Sequence, residues 1–223
     1  MISIARLLSV PFLCLSSLLP LAAEETVKFT QDFEEAEAGS LPDGMMEIEG
    51  AFTVEALDGR KALKLAEAPL AEDAVILGPS FKGAGSVMAS VKADKKRRSF
   101  PRFGVGLHGI SGYRLRVVGA SGMVELVKNE EVVKAVAFAW KSELWTTLKL
   151  ELREADGKWI VEGRVWAEGT EAPGEPTIAL ETDKEPGQGK ASLWGTPYAG
   201  LPIWFDSVEI TSPAQAEEKK ASE

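Results

Sequence analysis

Hydrophobic and polar residues alternate along most of the chain with a period of two. Successive side chains of a strand point to opposite faces, so this is the pattern of strands with one face buried. In the stretch 144–153, Leu144, Thr146, Leu148, Leu150 and Leu152 share one parity, and Trp145, Thr147, Lys149, Glu151 and Arg153 share the other. In 159–168, Trp159, Val161, Gly163 and Val165 oppose Ile160, Glu162, Arg164, Trp166 and Glu168. The same alternation, or a short β-rich run bounded by Gly, Pro, Asp or Asn, predicts further strands before this pair. They fall at 27–33, 51–57, 61–66, 73–78, 85–93, 102–110, 112–119, 123–128 and 132–139. Three more follow it, at 176–182, 190–195 and 203–210. LDGRK (57–61), KNEE (128–131) and EADGK (154–158) offer Gly or Asn for the positive φ of tight turns. No window of about a dozen residues sustains a helical period. Strands joined by short turns pair antiparallel, and each sheet must hide one face. The expected fold is therefore all-β, an antiparallel two-sheet jelly-roll sandwich.

Composition narrows the setting. MISIAR followed by LLSVPFLCLSSLLPL and then LAA-EE reads as an export signal cleaved after Ala23, with an uncleaved anchor as the alternative. A lipoprotein site at Cys14 lacks the small residue such processing prefers before it. No later segment is long and apolar enough to span a membrane, so the expected location is exported, periplasmic or secreted. Cys14 is the only cysteine, so the mature chain has no disulfide and must rely on a large core. Loss of Arg6 takes the formal charge from −9 to −10, which argues against nucleic acid and anionic membranes as partners. With no internal repeat or linker, residues 24–211 are expected to form a single domain. The stretch 212–223, SPAQAEEKKASE, reads as a disordered polar tail.

Several segments together resemble a known fold family. TQDFEEAEAGSLPDG (30–44), W-x4-W-x2-L-x-L from Trp140, EGRVWAEGTEAPGEPTIALETD from Glu162 and IWFDSVEI (203–210) resemble concanavalin A-like (laminin-G-like) jelly-roll domains. They are most similar to the exported bacterial type found alone or joined to quinoprotein-like β-propellers. Sugar-hydrolysing members usually open with a Gly-Trp pair, whereas this chain has DGMMEIEG (43–50) at that place. The resemblance implies a carbohydrate-related superfamily without supplying a reaction. It also implies a structural calcium ion tying the first strand's exit to the last strand, with Asp32 or Glu34 and Asp206 in the matching positions.

The candidate chemistry is spare. One histidine, His108, and no mature cysteine exclude Cys–His catalysis and histidine-rich metal sites, and no G-x-S-x-G elbow accompanies His108. No strand carries the E-x-D-x-E-like run of the sandwich glucanases, which leaves no catalytic residue to name. A hydrolase would need carboxylates from separate strands, such as Glu125 or Glu151 with Glu162.

By parity, Arg102, His108, Arg114 and Arg116 fall with Trp145, Lys149, Glu162, Arg164 and Trp166 on the side away from the core. If these strands share a sheet, its outer face carries aromatic plates and forked donors, with Gly104 and Gly106 leaving room for a ligand. Indoles stack on sugar rings while Arg, Lys and Glu satisfy hydroxyls. The expected ligand-binding set is Trp145, Trp166, Arg114, Arg116, Arg164, Glu162 and His108, in a non-catalytic carbohydrate-binding domain. Trp140, Trp159, Trp194 and Trp204 are assigned to packing. The alternatives are an interaction domain docking on an envelope protein partner and a glycan hydrolase with converging carboxylates. VKADKKRRSFPR (91–102) concentrates Lys92, Lys95, Lys96, Arg97, Arg98 and Arg102 in an otherwise acidic chain and reads as an exposed hairpin loop. Its functional reading is contact with an acidic polysaccharide or a partner.

Overall fold

A computed structural model describes residues 26–67, 71–198 and 200–214. The expected signal (1–23) and most of the tail lie outside the described residues. Within them there is no helix, and hence none long and apolar enough to cross a membrane. Fifteen antiparallel strands form an all-β sandwich of two sheets.

The eight-stranded sheet contains β1 (Thr26–Gln31), β3 (Phe52–Leu57), β4 (Arg60–Leu65) and β6 (Gly85–Ala93). Its other members are β11 (Trp145–Ala155), β12 (Lys158–Ala167), β13 (Ile178–Thr182) and β15 (Ile203–Pro213). Strand order is β13-β12-β11-β6-β15-β4-β3, with β1 also on β15. The seven-stranded sheet joins β2 (Met46–Glu49), β5 (Asp73–Lys82), β7 (Arg102–Leu107), β8 (Tyr113–Val118), β9 (Met123–Lys128), β10 (Glu131–Ala137) and β14 (Gln188–Thr196). It runs β10-β9-β8-β7-β14-β5-β2.

The turn chemistry sets three hairpins. Asp58-Gly59, Asn129-Glu130 and Asp156-Gly157 each join two paired strands with positive φ at both central residues. That matches the right-handed twist of the flanking strands. Between the sheets, Leu148, Leu150, Leu152, Val161, Val165, Val87, Val91, Ile203 and Phe205 meet Phe103, Val105, Leu107, Leu115, Val117, Val75, Leu77 and Leu193. These are the inward parities of the predicted strands, and each such side chain contributes about 1.5–3 kcal/mol on burial.

Two differences from expectation matter. MEIE (46–49) forms edge strand β2, although all four residues are exposed, because pairing with β5 and not burial holds it. β15 continues to Pro213, with Ser212 and Pro213 paired to Val27 and Thr26. The sheet therefore claims two residues assigned to the tail.

Candidate functional site

The residues expected on one face are divided between two. β7 and β8 lie in the seven-stranded sheet, and β11 and β12 in the other. Parity was legible strand by strand, but sheet membership depends on which connections cross the sandwich. The loop from β6 to β7 does so. Arg102, Arg114 and Arg116 therefore sit on the opposite side of the molecule from Trp145, Glu162, Arg164 and Trp166.

The outer face of the seven-stranded sheet pairs its own arginines with carboxylates, although Arg114 Nε is buried without a hydrogen-bond partner. Arg114 is 2% exposed, and its guanidinium carbon lies 4.0 Å from the Trp194 ring centroid. Its Nη1 donates to Glu72 Oε2 (3.0 Å), and Nη2 pairs with Glu130 Oε1 (2.8 Å). Arg116 donates from Nη1 to Glu72 Oε1 (3.1 Å), and from Nε and Nη2 to Glu125 Oε2 (3.1 and 2.8 Å). Gly106 does not leave ligand space. A Cβ there would stand 2.5 Å from Ser192 Oγ, 3.1 Å from Trp194 Nε1 and 3.2 Å from Arg114 Cγ. The protein fills its own glycine track with the indole and the arginine stem.

His108 is likewise no rim donor. It adopts φ 63°, which ends the strand alternation, and is 3% exposed with its ring edge-on to Phe81 at 5.0 Å. Burial, opposed by a backbone contact at Gly83 and assisted by Lys128, lowers its pKa to about 4. The imidazole is a neutral core group near pH 7.

The outer face of the eight-stranded sheet is different. The register aligns Trp145, Lys92, Trp204 and Lys64 in one row across β11, β6, β15 and β4. Trp166 pairs with Thr147, which makes it a diagonal neighbour of Trp145 on the same face. Trp166 and Trp204 are half-buried. Trp145 is on the outer side as parity required, but it is only 5% exposed. Its cover is Arg60, whose guanidinium carbon lies 4.5 Å from the indole centroid.

This cover follows from the way β15 changes partner. β4 pairs with β15 only through Leu63–Leu65; a bulge follows between Asp206 and Glu209, with Ser207 at φ 51°, and β1 takes the remaining edge. The Asp58–Arg60 end of the β3–β4 hairpin is thereby free to lean across the sheet. Arg60 Nη1 donates to Asp206 Oδ2 at 3.2 Å, and its Nη2 lies 4.0 Å from Glu168 Oε1. Asp58 Oδ2 accepts from Lys92 Nζ at 2.7 Å, and this contact holds the Asp58 carboxyl below its ordinary value. Burial raises that of Asp206, and nearby Glu34 adds to the rise. The Ser207 amide, 2.6 Å away, and Arg60 oppose it.

Beyond the tryptophans runs a charge ladder. Lys149 pairs with Glu151 (2.9 Å), Arg164 with Glu151 (3.7 Å) and Glu162 (3.4 Å), and Arg153 with Glu162 (2.7 Å). Glu151 and Glu162 do face each other across β11 and β12, whereas Glu125 belongs to the other sheet. Both carboxylates are bonded to cations, as in a structural ladder.

The expected set thus contributes Trp145, Trp166, Arg164 and Glu162 to this face, and Arg114, Arg116 and His108 lie elsewhere. Trp204, assigned to packing, belongs here instead. The alternation Ile203-Trp204-Phe205 carried that signal, since its neighbours are fully buried. Arg60 had no sequence signal, because its reach across the face is tertiary.

The implied calcium does not fit these side chains. Asp206 already faces a guanidinium, Asp32 Oδ1 accepts from the Glu34 amide (3.2 Å), and Glu34 Oε1 accepts from the Lys61 amide (3.2 Å). Among the described residues no group of three or more His, Cys, Asp or Glu side chains is placed to hold a metal ion.

No family model matches the chain, and no curated protein does. Solved structures do. The carbohydrate binding module CBM66 from Bacillus subtilis superposes with TM-score 0.53 at 12% identity, over 76% of this chain and 96% of the module. Lectin I-B4 from Griffonia simplicifolia, in its metal-free form, gives 0.57 at 8% identity, over 83% of this chain and 99% of the lectin. A Crh5 transglycosylase in complex with NAG gives 0.57 at 13% identity, over 84% of each chain. These likenesses establish the fold as the lectin-type, concanavalin A-like jelly roll.

Proposed function

We propose that this protein is an exported, non-catalytic carbohydrate-binding domain, and that the outer face of the eight-stranded sheet is its binding surface. The observation that carries the reading is the placement of Trp145, Trp166 and Trp204 on one outer face, interleaved with Lys64, Lys92, Arg60 and Arg164. Apolar residues on an outer face are usually scattered singly; a cluster of indoles ringed by charged donors and acceptors is the chemistry that a pyranose matches. Trp166 and Trp204 supply the accessible plates, while Trp145, under Arg60, orders the floor between them. The fold neighbours support this reading, since they include a carbohydrate binding module and a lectin. Export rests on the N-terminal signal.

Affinity-gel retardation against a panel of polysaccharides tests the proposal. Each indole stack contributes about 1 kcal/mol, about fivefold in affinity, so a Trp166→Ala/Trp204→Ala variant is expected to lose most retardation while still unfolding cooperatively, at a lower melting temperature because both indoles are half-buried. Undiminished retardation in that variant, or none for the wild type on any polysaccharide, would overturn it.

One observation favours a second reading, a domain docking on an envelope protein. The edge strands β2 and β10 of the seven-stranded sheet expose Met46, Ile48, Val132 and Val133. Edges of this kind accept an added strand. A pull-down that recovers one protein, lost on Val132→Lys/Val133→Lys, would select it.

A further inference from the structure

The β6–β7 connection leaves the sandwich beside the row of Trp145, Lys92 and Trp204, only two residues beyond Lys92. Its base is anchored: Asp94 Oδ1 accepts from the Glu143 amide (2.8 Å), and the Lys95 amide donates to Ser142 Oγ (3.0 Å). Its tip is closed by reciprocal backbone bonds between Lys96 and Ser99, both 3.0 Å, with Arg97 held at φ 59°. A non-glycine residue in that region is uncommon and marks a built turn. The flanks are pinned as well. Lys95 Nζ lies 5.8 Å from the Phe100 ring centroid, and the Arg102 guanidinium 5.2 Å from that of Tyr198.

What this turn holds in place is uncompensated positive charge. Lys95, Lys96, Arg97 and Arg98 are all exposed, and among the described residues none of the four has an acidic partner. The chain has 34 acidic residues against 25 basic ones, so counter-charges were abundant. Among the described residues many other surface cations found them: Lys28 pairs with Glu209, Lys82 with Glu185, and Lys92 with Asp58. A turn that orders four like charges works against their repulsion, and an anion from outside relieves it. Lys96, Arg97, Arg98 and Ser99 line an open concavity, and two guanidiniums supply the forked donors that carboxylate and sulfate accept bidentately.

We infer that the ligand is an acidic polysaccharide, bearing carboxylate or sulfate groups, and that the β6–β7 turn clamps its charges while the adjoining tryptophans take the sugar rings. The inference rests on the carbohydrate reading of that face for the kind of ligand. The surrounding acidity favours a polysaccharide over a bilayer or a duplex. A thin chain touches only the basic tip, whereas a broad anionic surface meets the rest of a molecule with formal charge −9.

The test uses the full chain and four immobilised probes: polygalacturonate for carboxylate, dextran sulfate for sulfate, and single-stranded DNA and phosphatidylglycerol vesicles as other anions. Dextran serves as the uncharged control. Expected is retention on polygalacturonate or dextran sulfate that falls by about tenfold or more in Lys96→Gln/Arg97→Gln/Arg98→Gln, each exposed charge contributing severalfold. It should also fall as salt rises from about 0.05 to about 0.5 M, while melting temperature stays unchanged. Equal retention of wild type and triple variant on both acidic polysaccharides, or tighter retention on DNA or vesicles through these residues, would overturn the inference. The two proposals fail separately. Loss of binding in the tryptophan variant with none in the triple variant sinks the clamp alone. Loss in the triple variant with full retention in the tryptophan variant keeps the clamp and sinks the face.

Discussion

Replacing Arg60 by Ala removes the cover of Trp145 and the counter-ion of Asp206 together, with the long, exposed contact to Glu168 adding little. The guanidinium over Trp145 contributes about 0.5–1 kcal/mol, as cation–π contacts do near the surface. Removing one partner of a buried ion pair costs about 3–5 kcal/mol, because the other charge is stranded. Asp206 is buried, with its side chain 5% exposed, but that of Arg60 is 37% exposed, so solvent screening reduces this to roughly 1–2 kcal/mol. Arg60→Ala is therefore expected to destabilise by about 1.5–3 kcal/mol in urea denaturation followed by tryptophan fluorescence. Asp206→Asn, which keeps an acceptor for the Ser207 amide, should cost about 1 kcal/mol. In the double variant no carboxylate is stranded, so the two losses should overlap by about 1 kcal/mol.

The sign of the pH dependence is also fixed. Burial already raises the Asp206 carboxyl above 3.8, and Arg60 is one of the groups pulling it back. Without Arg60 it rises further, and a carboxyl with a raised folded pKa contributes stability at low pH that is lost as pH climbs through that value. The Arg60→Ala deficit should thus shrink as pH falls from neutrality into the ordinary carboxyl range. Additivity within about 0.3 kcal/mol, or a deficit indifferent to pH, would refute the assignment of Arg60 as the counter-ion of Asp206.

Other substitutions probe the core. His108, lowered from 6.5 to about 4 by burial, favours folding when neutral, so its contribution is complete above pH 6.5 and lost as pH falls toward 4. Denaturation midpoints should record a loss of about 3 kcal/mol across that window, missing in His108→Asn, which also tolerates positive φ. Gly163→Ala should destabilise by about 1–3 kcal/mol, since its Cβ would lie 2.5 Å from Leu115 Cδ1 and 2.8 Å from Ile178 Cγ2. An unchanged melting temperature would show that the two sheets are less tightly apposed there.

Local rules made much of the fold legible. Alternation placed nearly every strand and its inward parity, and Asp-Gly and Asn-Glu marked three hairpins whose register follows from the turn. Only β2 was missed, because MEIE gives an edge strand exposed on both faces no burial signal. The candidate site was half legible. Trp145 and Trp166 were placed on the outward side of their strands, and that parity holds. The arginines of β8 were placed beside them, although alternation carries no information about which sheet a strand joins.

The chain by itself determined strands, turns and which side of each strand faces water, because these depend on steric and solvation effects a few residues long. Tertiary structure alone decided three things. It put Arg114 and Arg116 on the far side of the sandwich from the tryptophans, filled the Gly106 track with Trp194 and Arg114, and laid Arg60 over Trp145. Each depends on where connections cross between sheets and where β15 exchanges one neighbour for another, which no stretch of a few residues encodes.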